Sequence, residues 1–189
     1  MTRKISLSNA ACGWFLGMAC LIAGGARAEE MSISLPGHGM LLLSIPAGWQ
    51  VTPTQRAGGL PPTVQFSAKG GRHFEVLLTP LWSPQGDAGF NTPDQVRRVI
   101  AGAAAKAGPQ SVEGRITVRE IPGSAGKGFY FVATDKQPKP EEFKYMAQGA
   151  LPLDELMLGF TVLTNEADSP VMQNTFDALK AARHQRAIR

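Results

Sequence analysis

Residues 135–142 (DKQPKPEE) crowd five charged side chains, Asp135, Lys136, Lys139, Glu141 and Glu142, into eight positions. Paired carboxylates such as Glu141 and Glu142 are the groups that general acid–base catalysis or metal binding would use. Their spacing argues against both uses, because adjacent residues of an extended chain point to opposite faces. Lys136, Lys139 and Lys144 nearly balance the acids, so no strong field of one sign forms. Pro138 and Pro140 stiffen the segment and remove two amide donors. The stretch therefore reads first as a solvated strand connection and second as a partner-contact loop. Lys136, Lys139, Glu141 and Glu142 are the candidate contact residues. Trp82 and Phe90 join them, from a second loop rich in Pro, Gly and Asp. Exposed aromatic rings there would serve as interface anchors, and the competing reading is local packing.

Other chemistries find less support. His38, His73 and His184 lie far apart in sequence, in a turn, at a strand start and in a tail, with no ligand at metal-binding spacing. The chain has no G-x-S-x-G elbow and no S-x-x-K. The segment GSAGKG (123–128) lacks the phosphate-loop spacing, and a strand rather than a helix follows Lys127. No metal and no cofactor are expected. A hydrolase with a Ser-His-Asp set assembled from distant residues stays as the weakest alternative.

The first residues read as an address. Arg3 and Lys4 precede an uncharged apolar stretch at 13–23, then Gly24-Gly25 and the small-x-small site Ala26-Arg27-Ala28. That stretch is shorter than the roughly 20 residues a spanning helix needs. Residues 1–28 are thus expected to be a cleaved signal peptide, and the protein to be exported, to the periplasm of a Gram-negative source or otherwise to the medium. Lipidation at Cys20 is disfavoured, because Gly17 stands where a large aliphatic residue is wanted and the apolar stretch continues past the cysteine.

Removal of residues 1–28 takes away Arg3, Lys4 and Arg27 but no acid, so the mature charge is 16 minus 15, or +1. Four of those basic residues fall in the last ten, so the body before them is mildly acidic, 12 minus 15, and the basic balance gives no argument for nucleic acid. Both cysteines, Cys12 and Cys20, leave with the leader, so the mature chain has neither disulfide nor thiol nucleophile. Residues 29–183 suffice for one domain, with 184–189 as a basic tail expected to fray.

Alternating patterns place strands at 31–36, 40–45, 63–69, 73–79, 115–121, 128–134 and 143–148. The nearly continuous apolar run 156–163 marks a central strand covered on both faces. The Pro/Gly-rich residues 52–62 read as a loop. One helix starts at Thr92-Pro93 with Gln95 completing a capping box, and carries a stripe of Val96, Val99, Ile100 and Ala103. A second is capped by Ser169 or Asp168, with Pro170 at its start and Met172, Phe176 and Leu179 on one face. The order implies an α+β domain, a mainly antiparallel sheet of about seven or eight strands flanked by two amphipathic helices.

Three phrases add a likeness. Ile45-Pro46 with Gly48-Trp49 follows an early strand, Gly128-Phe129-Tyr130-Phe131 lies in a late one, and an amphipathic helix closes the domain. With this element order, residues 31–183 resemble the PsbP-like fold of photosystem accessory proteins, DcrB-type exported bacterial proteins and a Ran-binding nuclear import factor. The resemblance implies a protein that binds or assists other proteins, here another envelope protein, without enzyme chemistry. It carries over no site residue. A carrier of a small apolar ligand, held between sheet and helix, is the runner-up.

Overall fold

A computed structural model describes residues 28–54, 61–71 and 73–187. The expected signal peptide, residues 1–28 with Cys12 and Cys20, lies outside the described residues except for Ala28. Two sheets and two helices stack in three layers. Strands β1 (Glu29–Leu35) and β2 (Gly39–Ile45) form the first hairpin, turned at Gly37 and Gly39, both with positive φ. The seven-stranded sheet uses β3 (Trp49–Thr54), β4 (Thr63–Ala68), β5 (Phe74–Leu81), β6 (Arg119–Gly123), β7 (Gly126–Thr134), β8 (Tyr145–Leu153) and β9 (Leu156–Thr164). Its order is β3-β4-β5-β9-β8-β7-β6, antiparallel throughout, so β9 lies at the centre as its apolar run requires.

Helix α1 (Pro93–Ala107) begins as expected, with the Thr92 hydroxyl accepting from the Gln95 amide. Helix α2 (Pro170–Ala181) begins at Ser169, whose hydroxyl accepts from the Val171 amide. The two helices cover opposite faces of the large sheet. On one face Phe129, Phe131, Ala133, Ala150 and Met157 meet Val96, Ile100 and Ala104 of α1. On the other, Phe66, Leu78, Leu158, Phe160 and Val162 meet α2 and the small sheet, through Phe176, Leu179, Leu41 and Leu43.

Four expectations need correction. Residues 52–54 are strand, not loop, and Pro53 pairs with Val64. β3 is a sheet edge, where a residue without an amide donor is tolerated because alternate amides face solvent. The strand expected at 115–121 is instead β6, Arg119–Gly123. Ile116 and Val118 still pack against the α1 layer, but their alternation reflects packing rather than a ladder. Val99 is 44% exposed, and the buried stripe of α1 is Val96, Ile100 and Ala104, because the helix rests mainly on β7 and β8. Finally, the chain past Ala182 does not fray at once. Arg183–Gln185 is a tenth strand, β10, antiparallel to β2, and the small sheet has the order β1-β2-β10.

Among the described residues no helix is long and apolar enough to cross a membrane. The space between the large sheet and α2 contains an apolar gap of about 20 Å3 beside Leu43, Phe66, Leu78 and Leu179. Ligand pockets run to about 300–1,000 Å3, and this gap is about the size of one water. This gap is too small to hold the ligand of the apolar-carrier reading.

Candidate functional site

The register of the sheet builds a cleft. Ala133 on β7 pairs with Met146 on β8, and Met146 pairs with Leu163 on β9, so these three side chains form one row on the α1 face. The helix ends above this row. Its last turn at Ala107 passes into a 3-10 turn, Gly108–Gln110, which makes one wall with Ser111. The opposite wall is the β7–β8 connection, with Lys136, Gln137, Lys139, Glu142, Phe143 and Lys144. The resulting cleft is open to solvent and measures about 820 Å3, with an apolar floor and a polar rim.

Hydrogen bonds set the shape of both walls. The Lys136 amide donates to Gln110 O at 3.2 Å, and its ammonium donates to Pro109 O at 2.9 Å, tying the loop to the end of α1. A cation suits the carbonyl end of a helix. The Glu142 amide donates to Lys139 O, and Glu142 Oε2 accepts from the Lys139 amide, each at 3.0 Å. These two bonds close a turn in which Glu141 takes a φ of +72°. The Lys139–Glu142 ion pair at 3.5 Å is surface-exposed, so its contribution lies in shape more than in stability. Asp135 caps the next turn by accepting from the Gln137 amide. Glu142 and Asp135 are therefore occupied by their own loop.

Glu113 lies behind the wall, bonded to the lining residue Thr134, and has no signal in the sequence, since its partner lies 21 positions away. Its carboxylate accepts from the Thr134 amide at 3.0 and 3.1 Å and from the Thr134 hydroxyl at 2.7 Å. Burial pushes this carboxyl up, but the Thr134 amide and hydroxyl outweigh it and hold the group below the usual carboxylate range. The Val112 amide donates to Thr134 O, and Ser111 bridges to Asp135, so residues 111–113 continue the sheet beside the end of β7.

The six candidate contact residues do not form one surface. Lys136, Lys139 and Glu142 line the cleft, and Glu141 sits in its closing turn. Trp82 follows β5 at the far end of the sheet, beside the β8–β9 turn. The nine residues of β8 join the two ends, a distance of roughly 26 Å at about 3.3 Å per residue. Trp82 is half-buried and stacks on the His38 ring, centroids 4.5 Å apart, and Phe90 packs against the α1 layer. Both aromatics act in packing.

That far end gathers residues the sequence leaves scattered. His38 Nδ1 lies 2.7 Å from Glu155 Oε1, and His184 Nδ1 lies 3.0 Å from Asp154 Oδ2. Arg186 bonds both carboxylate oxygens of Asp154, and Asn91 donates to the carbonyls of Asp154 and Leu156. Among the described residues no three His, Cys, Asp or Glu side chains are grouped to hold a metal ion.

No protein-family model and no curated protein matches the chain. Solved structures do resemble it. The solution structure of cyanobacterial PsbP (CyanoP) from Synechocystis sp. PCC 6803 aligns with a TM-score of 0.52 at 13% identity, over 90% of this chain and 99% of that one. A crystal structure from Bacteroides thetaiotaomicron aligns with a TM-score of 0.52 at 7% identity, over 85% of this chain and 49% of that one. The chain thus spans about half the length of the second structure. Two helices on opposite faces of a seven-stranded antiparallel sheet, with a small sheet beside it, give the chain a PsbP-like fold.

Proposed function

We propose that the protein is an exported, non-catalytic accessory module that binds another envelope protein through the cleft beside the β7–β8 loop. The observation that carries this reading is the cleft itself. Its floor, Ala133, Met146 and Leu163, is an apolar row that α1 stops short of covering, and its rim is lined with lysines and amides. An open groove with an apolar base and a polar rim has the make-up of a protein-contact surface. Its walls are held by their own hydrogen bonds before any partner arrives, which lowers the ordering cost of binding. Of the paired carboxylates that suggest acid–base chemistry, Glu142 serves a turn amide instead and Glu141 sits at the positive-φ position of the same turn. Likeness in fold to cyanobacterial PsbP agrees with this reading, and the leader-like residues 1–28 support export.

A photo-crosslinking residue placed at Gln137, on the cleft rim, tests the site against one placed at Ser34, exposed on β1. Each full-length variant is expressed in its source cells, and the mature chain recovered from the envelope is expected to begin at Glu29. Illumination is expected to give a discrete adduct from position 137 and none from position 34. Lys139→Glu, which breaks the Lys139–Glu142 pair, is expected to cut the adduct yield about fivefold, a loss of about 1 kcal/mol. Equal adducts from both positions, or none from 137, would remove the cleft as the contact surface. Retention of the whole chain in the cytoplasm would remove export.

A further inference from the structure

The short strand β10 is held by an arrangement of acceptors that a neutral histidine cannot serve. His184 turns its side chain inward, where it is 0% exposed. Nδ1 lies 3.0 Å from a carboxylate oxygen of Asp154, and Nε2 lies 2.6 Å from the backbone carbonyl oxygen of His38. Both partners only accept, and a neutral imidazole carries one N–H. Both hydrogen bonds form together only when each ring nitrogen holds a proton.

The ring sits among charged groups. Asp154, on the β8–β9 turn, faces His184 and Arg186 at once. Glu155 is bonded to the His38 ring, which itself stacks on Trp82. The titratable and charged groups around His184 are therefore two carboxylates, one guanidinium and a second imidazole. Arg186 above all holds the Asp154 carboxyl below its usual range, burial opposes this, and His184 adds to it. The acceptor thus stays ionised when the medium turns mildly acidic. Docking is also close at the backbone. A Cβ on Gly39 would lie 2.6 Å from Ala187 N and 2.6 Å from Arg186 C, so residues 185–187 are seated directly on the β1–β2 turn.

We propose that β10 is a proton-operated latch: Arg183–Gln185 stays paired with β2 while His184 carries both ring protons, and lets go when one is lost. The docked state then binds one more proton than the released state. Docking is tightest at and below the range where histidines ordinarily change charge, loosens as pH rises above it, and weakens at low pH only once Asp154 is protonated. Release bares the open edge of β2 at Met40 and Leu42 and frees Asp154 from both of its cationic partners.

Nitrogen-15 NMR of the mature chain tests the latch directly. At about pH 6 both ring nitrogens of His184 are expected to carry protons. Amide exchange across residues 183–185, corrected for intrinsic base catalysis, is expected to show an opening constant rising by up to about tenfold per pH unit towards pH 8. His184→Gln is expected to flatten this dependence while exchange in the large sheet stays unchanged. A single neutral tautomer at His184 with the strand docked would overturn the proposal, and so would a His184→Gln protein with the same pH dependence. If the variant fails to fold, the wild-type ring protonation and exchange profile decide alone.

Discussion

Phe131→Ala is expected to lower the free energy of unfolding by about 3–5 kcal/mol, the range for emptying a buried aromatic site. Phe131 is 0% exposed and lies on β7 beneath α1, among Val96, Ile100 and Ala104. α1 and the β strands around the site are held by their own backbone bonds, so neither collapses easily into the space left behind. The consequence reaches the cleft, because the same helix carries the wall from Ala107 to Ser111. Urea unfolding should show the midpoint fall with the slope preserved. Amide exchange at Gly108 and Gln110 should accelerate more than exchange in β4 and β5, which lie away from α1. A loss below about 1 kcal/mol would mean that α1 is not anchored through this ring.

Gly149→Ala is expected to cost about 3 kcal/mol, at the upper end of the usual overpacking range, although alanine is the better strand former. Gly149 lies on β8 between Tyr130 on β7 and Phe160 on β9, on the face that receives α2. Phe176 of α2 meets both rings edge-on, at 4.7 Å from Tyr130 and 5.9 Å from Phe160. The missing side chain is what lets three aromatics close over one strand. A Cβ there would fall 2.5 Å from Phe160 Cζ, 2.6 Å from Tyr130 Cβ and 2.6 Å from Phe129 O. The Phe160 ring can shift, but the Phe129 carbonyl belongs to the sheet ladder and cannot. The double variant Gly149→Ala/Phe160→Leu should therefore recover only part of the loss, and calorimetry of the two single variants and the pair would measure the coupling. Full recovery would show that the ring alone sets the cost.

These two positions also show what the sequence makes legible. Phe131 belongs to an alternating run whose two apolar faces announce a strand covered on both sides, and α1 and α2 then supply the covers. Thr92-Pro93 and Ser169-Pro170 mark both helix starts because capping is local chemistry, readable within four residues. β3 escaped because Pro53 argues against a strand unless the strand is known to be an edge, and edge position is a property of the whole sheet. β10 escaped for a related reason: three residues with one inward side chain, a histidine, show no apolar alternation at all. The loop 135–142 was legible as a stiff strand connection, but the cleft beside it was not. Its floor is the row Ala133, Met146 and Leu163, which only the register of three strands brings into line. Gly149 shows the same limit, because nothing local says which rings will crowd a glycine.

The order β1-β2-β10 has a mechanical consequence. β1 and β10 both run antiparallel to β2, with Glu29 opposite Ile45 at one end and Gln185 opposite Met40 at the other. Tension applied between residues 29 and 185 therefore acts along the strands and loads their hydrogen bonds in shear, many at once. Peeling, which breaks such bonds one by one, would require a pull across the strands. A domain tethered at one end and pulled at the other would yield first where the ladder is shortest, at the three pairs between β10 and β2. The C-terminal strand is then the mechanical fuse of the small sheet, and the seven-stranded sheet that carries the cleft stays outside the line of force.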